Sequence, residues 1–167
     1  YKIAYLLQSG LKPQSILALT FTKKAATEMK DRIAKVVGTE AASKLWMGTF
    51  HSIFARILRA EADKLGLDKD FTIYDGTDSQ NLLATIIKER KLDDKTYNAK
   101  KIHARISRLK NDLVTPQMYR DIPEFHERDL ADHLYAFGDL YAAYAARCKN
   151  ANALDFDDIL LFTNILL

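Results

Sequence analysis

The stretch that decides the fold is Ile16-Leu17-Ala18-Leu19-Thr20-Phe21-Thr22-Lys23-Lys24-Ala25-Ala26-Thr27-Glu28-Met29-Lys30. Its first five residues are a short, nearly continuous apolar run, which suits a strand buried on both faces of a parallel sheet. Thr22 then stands where a hydroxyl cap belongs, ahead of a helix over 23–37 that Gly38 ends. A second short strand, 45–49, runs straight into a helix over 51–65 closed by Gly66. Strand, helix, strand, helix at this spacing predicts a right-handed parallel unit, so this part of the chain is α/β.

Working outward, residues 1–8 read as an amphipathic helix with no N-cap residue ahead of it, which leads us to expect chain missing upstream. A third extended piece, 71–74, is followed by the turn Asp75-Gly76 and by Thr77-Asp78-Ser79-Gln80, a capping-box pattern that starts another helix. Beyond it the texture is helical only. The spacing predicts helices over 98–110 and 127–149, with Thr115-Pro116 as a cap and first turn between them. Leu134, Phe137, Tyr141, Tyr144 and Cys148 recur at helical spacing and read as core. Asp155-Phe156-Asp157-Asp158 supplies a cap and an acidic first turn to a last apolar helix. That function explains the acidic trio better than a metal or acid/base site does. The expected division is a parallel α/β core, 1–74 and 153–167, interrupted by a helical insertion over 75–152.

With 167 residues, 48% of them hydrophobic and 28% charged, the chain has enough apolar surface for one core and a small appended subdomain. No apolar run approaches the ~20 residues a membrane helix needs, and no signal-peptide pattern is present, so a cytoplasmic protein without a membrane partner is expected. Cys148 is the only cysteine, which excludes internal disulfides and thiolate metal clusters. His126 and His133 have no carboxylate or thiol to complete a ligand set, so no metal site is expected. The net charge of +3 is unevenly spread: residues 1–60 carry ten Lys/Arg against three Asp/Glu, and 101–120 five against one, whereas 121–167 carry three against nine. Two separate basic blocks suit a polyanion-binding surface, and they equally suit solvated helix faces.

Both strands end alike, in Thr20-Phe21-Thr22 and Thr49-Phe50-His51, each followed at once by a helix. Ligands of open parallel sheets bind beyond the carboxyl ends of the strands, so both tripeptides should face one crevice. Helix N-termini with the hydroxyls of Thr22 and Ser52 and the charges of Lys23 and Lys24 favour phosphate oxygens. An aromatic ring beside phosphate donors is the combination that holds a nucleic-acid single strand without reading its sequence. Phe21 is therefore the candidate base platform, with a core role as its alternative. Phe50 shares the candidate surface but begins a helix whose Ile53, Phe54 and Ile57 form an apolar face, which favours packing. His51 suits a phosphate donor or a helix cap equally.

The run from Leu19 to Lys30 closely resembles the motif that follows the ATP site in UvrD-like superfamily-one helicases. Gly48-Thr49-Phe50-His51-Ser52 with Arg56, Leu58 and Arg59 resembles the next motif, and Ala153 to Leu160 the segment shortly before the second nucleotide motif. The opening Ile3-Ala4-Tyr5-Leu6 is similar to the end of the phosphate-loop helix, and Ile106 to Asn111 with Thr115-Pro116 to the inserted helical subdomain. The resemblance implies a RecA-like motor core with an inserted helical subdomain. It also implies a whole protein that uses ATP and Mg2+ to move 3′ to 5′ on DNA, with single-stranded DNA, the duplex junction and the rest of the same polypeptide as partners. It further implies that Thr20, Phe21, Thr22, Thr49 and His51 touch the tracking strand, and that Arg105, Arg108, Lys110 and Asn111 approach DNA from the insertion. No GxxxxGK[ST] loop and no second nucleotide motif occur in the sequence, so this piece is expected to hydrolyse no ATP and to bind no cofactor itself. Lys23 stands where the family motif usually has Asn, which keeps a donor and adds charge. Two rivals remain: a stand-alone nucleic-acid-binding module, and a helicase-like subunit of a recombination nuclease complex.

Overall fold

In the computed structural model, which describes residues 1–167, the chain divides into two units, Tyr1–Ile57 and Leu58–Leu167. The first unit begins with α1 (Lys2–Gln8) and a 3-10 turn at Pro13–Ser15, then β1 (Leu17–Thr20), α2 (Lys23–Val37), α3 (Thr39–Ser43) and β2 (Trp46–Thr49). The strands pair in parallel with Leu17 opposite Trp46 and Thr20 opposite Thr49. Thr22 caps α2 as expected, its Oγ1 accepting from the Ala25 N–H at 3.2 Å, and Gly38 ends the helix at φ 86°. Ile16, Ala42, Leu45 and Met47 form the buried centre, against which Leu6, Met29 and Ile33 pack.

Three details over residues 1–65 differ from the sequence reading. β1 is not buried on both faces: Leu17 is 52% exposed and the rest of the strand is half-buried. The helix expected over 51–65 is two helices, α4 (Phe50–Ala60) and α5 (Ala62–Leu65). Helix α3 was not anticipated.

The second unit contains β3 (Thr72–Tyr74), α6 (Gly76–Glu89), α7 (Ala99–Asn111), α8 (Pro116–Asp121), α9 (Pro123–Ala131), α10 (Phe137–Asn150), β4 (Ala153–Asp155) and α11 (Phe156–Leu166). β3 and β4 pair in parallel, Tyr74 opposite Asp155, across a long intervening sequence. The core is the expected stripe: Phe137, Tyr141, Tyr144 and Cys148 of α10 are buried against Leu83, Ile86, Ile102 and Ile106, with Leu134 partly buried beside them. Each such apolar side chain contributes roughly 1.5–3 kcal/mol by leaving water. Burial also pushes the Cys148 thiol up to about 12, so it is an inert core residue.

The cap of α6 is Asp75, two residues earlier than the sequence reading placed it. Its Oδ1 accepts from Thr77 and Asp78 N–H at 2.7 and 2.9 Å, while Asp78 accepts from the Asp75 N–H. The helix expected over 127–149 is broken between α9 and α10. His133 adopts φ 55°, and the Leu134 N–H reaches back to the Asp129 carbonyl at 2.8 Å, a Schellman-type stop without glycine. No helix is long and apolar enough to cross a membrane.

Candidate nucleic-acid interface

The strand register sets the geometry of the first unit's surface. Because Thr20 lies opposite Thr49, the tripeptides Thr20-Phe21-Thr22 and Thr49-Phe50-His51 leave the same end of the sheet side by side. Phe21 is 88% exposed, its ring 5.1 Å from that of Phe50. Phe50 is half-buried and makes an edge contact with Phe54 at 5.8 Å, so the inner ring packs and supports the outer one. Such aromatic pairs add about 0.5–1.5 kcal/mol beyond their burial. An exposed ring held from behind by another ring costs water contact and offers a free face.

Polar groups surround that face. Lys23 and Lys24 are exposed in the first turn of α2, whose first N–H groups have no helical partner. Thr22 is exposed, and its oxygen accepts within the cap while its proton is not used there. The hydroxyls on the second strand are spent differently. Thr49 Oγ1 donates to Ser52 Oγ at 3.1 Å and accepts from the Ser52 N–H at 3.2 Å, and Ser52 Oγ donates to the Thr49 carbonyl at 2.9 Å. Ser52 therefore locks the turn into α4 instead of presenting a hydroxyl to a ligand. Gly48 permits this approach: a Cβ there would stand 2.6 Å from Ser52 Oγ and 3.2 Å from Ile53 Cγ1. Thr20 and His51 are half-buried at the same edge. Arg56 of the second motif stacks over the Trp46 ring at 4.2 Å.

The basic block of the second unit does not form the surface the sequence suggested. Lys110 is 2% exposed, its Nζ 2.6 Å from Asp155 Oδ2 and 2.7 Å from Asp158 Oδ1. A buried ammonium held by two carboxylates has no reach to a phosphate, so the expectation for Lys110 is corrected. Tyr144 adds a hydrogen bond from its hydroxyl to Asp155 Oδ2 at 2.8 Å. Arg105 is likewise engaged: it pairs with Asp129 at 2.6 Å and Asp132 at 3.2 Å, and lies over the Phe137 ring at 4.3 Å. Asn111 donates to the Ser107 carbonyl and to Asp157 Oδ1. Only Arg108 of the four remains exposed with an unpaired head group. Sequence reasoning missed the Lys110 cluster because its partners are 45 and 48 positions away and no local pattern announces them.

The acidic trio does cap its helix, since Asp155 accepts from the Asp158 N–H at 2.8 Å and Asp158 returns the bond. With Asp155 and Asp158 also committed to Lys110, these residues do not fit a divalent cation, and no group of His, Cys, Asp or Glu is placed to hold one.

Two parallel strands ending in matched aromatic tripeptides, each leading into a helix, define a mixed α/β domain with its candidate site at the strand ends. The chain belongs to the UvrD/REP helicase family: that family's N-terminal-domain model matches residues 1–167. It is 38% identical over 165 residues to the ATP-dependent DNA helicase PcrA of Staphylococcus aureus and 39% identical over 165 residues to that of Staphylococcus epidermidis. Each match covers 98% of this chain and 22% of the relative, so the chain spans about a fifth of the length of the curated relatives it matches.

Proposed function

We propose that this chain is the strand-gripping portion of an ATP-dependent DNA helicase that moves 3′ to 5′ on single-stranded DNA and opens the duplex at a junction, in DNA repair or replication. One observation carries the reading. The register Thr20 opposite Thr49 brings Phe21, its supporting Phe50, and the exposed Thr22, Lys23 and Lys24 to one edge of the sheet. Stacking on Phe21 tolerates any base, while Lys23, Thr22 and the free amides of α2 suit the phosphates on either side. Thr20, Thr49 and His51 complete the edge.

In this reading residues 1–74 and 153–167 belong to a RecA-like motor core and 75–152 to a helical insertion. The pairing of β3 with β4 supports it, since it joins the two stretches assigned to the core. The family membership supports ATP and Mg2+ as cofactors of the whole protein. Neither a phosphate loop nor a fitting carboxylate set occurs in these residues. The grip is centred on the first unit, since Arg105, Lys110 and Asn111 are engaged internally and only Arg108 of that block stays exposed.

The test is binding of fluorescent single-stranded oligonucleotides of differing sequence to the chain, with Phe21→Ala alongside. Near-equal affinities across sequences, all weakened by the substitution, are expected. Strong preference for one sequence, or binding indifferent to Phe21, would defeat the proposal. The isolated chain is expected to show no DNA-stimulated ATP hydrolysis above a protein-free control.

A further inference from the structure

The second unit contains a cavity of about 470 Å3 between α7, α8 and α9 that the proposed strand grip does not use. Its apolar lining includes Leu109, Val114 and Phe125, and Phe125 is held flat against the buried Tyr119 ring at 4.7 Å. Its rim carries Lys101, Arg108 and Arg128, all exposed and none in a salt bridge. Arg105 is the fourth cation, but it is fixed in the wall by Asp129, Asp132 and the Tyr119 hydroxyl. The cavity is therefore pre-shaped, and its unpaired charges are the three on the rim.

We propose that this cavity docks an acidic segment of a partner protein, which inserts one apolar side chain and sets carboxylates on Lys101, Arg108 and Arg128. Lys101 and Arg108 are seven residues apart on one face of α7, about 10 Å along the axis at 1.5 Å per residue. An extended peptide rises about 3.3 Å per residue with alternate side chains on one face, so acidic residues four apart share a face and stand about 13 Å apart, within reach of the long Lys101 and Arg108 side chains. The residue midway between them lies on the same face and is positioned to fill the apolar floor.

Duplex DNA fits the same features less well. Its bases are stacked away inside and its backbone offers no apolar group to the floor. Its phosphates are also continuous, and Asp112 and Asp132 lie in the same lining where a continuous polyanion meets them. A peptide places its acids selectively and avoids both. This surface is independent of the strand grip in the first unit.

The probe is a short fluorescein-labelled peptide with acidic residues four apart flanking a central phenylalanine, titrated into the full chain by anisotropy. Saturable binding is expected, weakened about tenfold or more by Arg108→Glu and by Arg128→Glu, a change of about 1.4 kcal/mol per decade. Replacing the peptide phenylalanine with alanine should weaken it similarly, and Phe21→Ala in the protein should not. Both rim residues are exposed, so unchanged melting temperatures are expected. If Arg108→Glu melts early, Lys101→Glu gives the same reading from another rim position. Absence of saturable binding, or binding indifferent to the rim substitutions, overturns the proposal. So does the converse pattern, in which a duplex oligonucleotide occupies the cavity, loses affinity with the rim charges and is not displaced by the peptide.

Discussion

Phe21 is a large ring left almost wholly in water, and that exposure separates two explanations of the residue. A buried phenylalanine loses about 3–5 kcal/mol of stability on truncation to alanine, and the 88% exposure of Phe21 removes most of that penalty. Phe21→Ala is therefore expected to melt nearly as the parent does, while losing about 1–3 kcal/mol of single-strand affinity with little change in salt dependence. Lys23→Ala should show the opposite signature. Its affinity loss should come with a salt slope lowered by about 0.7 for each single-strand phosphate contact removed. Melting curves and binding at several salt concentrations on both variants separate stacking from charge. A strongly destabilised Phe21→Ala protein whose folded fraction binds normally would return the ring to a packing role.

At the scale of elements, the turn from β2 into α4 depends on the missing side chain of Gly48. Gly48→Ala drives a methyl to 2.6 Å from Ser52 Oγ, so the serine must rotate and give up its bonds to Thr49. Overpacking of this kind costs about 1–3 kcal/mol. Adding Ser52→Ala removes the clashing oxygen, so the double variant should be more stable than the sum of the single effects predicts. Additive losses in denaturant titrations would show that the clash lies elsewhere. Helix starts were legible because their chemistry is local: Thr22, Thr115 and Asp155 are caps in the sequence and in the structure. Helix stops were less so. Lys91, Leu113, His133 and Asn152 take the left-handed conformation that glycine usually marks, with φ between 46° and 60°. The break at His133 was therefore invisible, and two helices read as one. The edge that gathers the two aromatic tripeptides could be read, since both motifs sit at strand ends. The loss of Lys110 and Arg105 from the surface could not, because their partners are brought in by tertiary packing alone.

At the scale of the whole molecule, the Lys110 cluster couples the second unit's stability to pH. One cation from α7 faces two carboxylates at the junction of β4 and α11, so the buried group carries one surplus negative charge. Burial pushes both carboxylates up. For Asp155 the ammonium and its hydrogen bonds outweigh burial and hold the group below its ordinary value of 3.8. For Asp158 burial prevails, the charge of Asp155 adds to it, and the group rises to about 6. Burial alone would lower Lys110, but the two carboxylates raise it instead. The signs differ accordingly. Asp158 binds a proton more readily in the folded state, so its contribution is complete below about pH 4 and is lost as pH rises through about 6. Asp155 contributes above its unfolded value and loses that contribution as pH falls. Lys110→Met removes the only cation and leaves two buried carboxylates, which should cost about 3–5 kcal/mol near neutrality. Protonation of Asp158 relieves part of that charge, so the deficit of Lys110→Met should be smaller at about pH 5 than at about pH 7. Asp158→Asn keeps the Lys110–Asp155 pair and removes the surplus charge, so it should be better tolerated and should flatten the parent's decline across that range. Urea titrations of the parent and both variants at the two pH values measure these differences. An equal Lys110→Met deficit at both, with the Asp158→Asn curve parallel to the parent's, would mean that this cluster does not set the pH response.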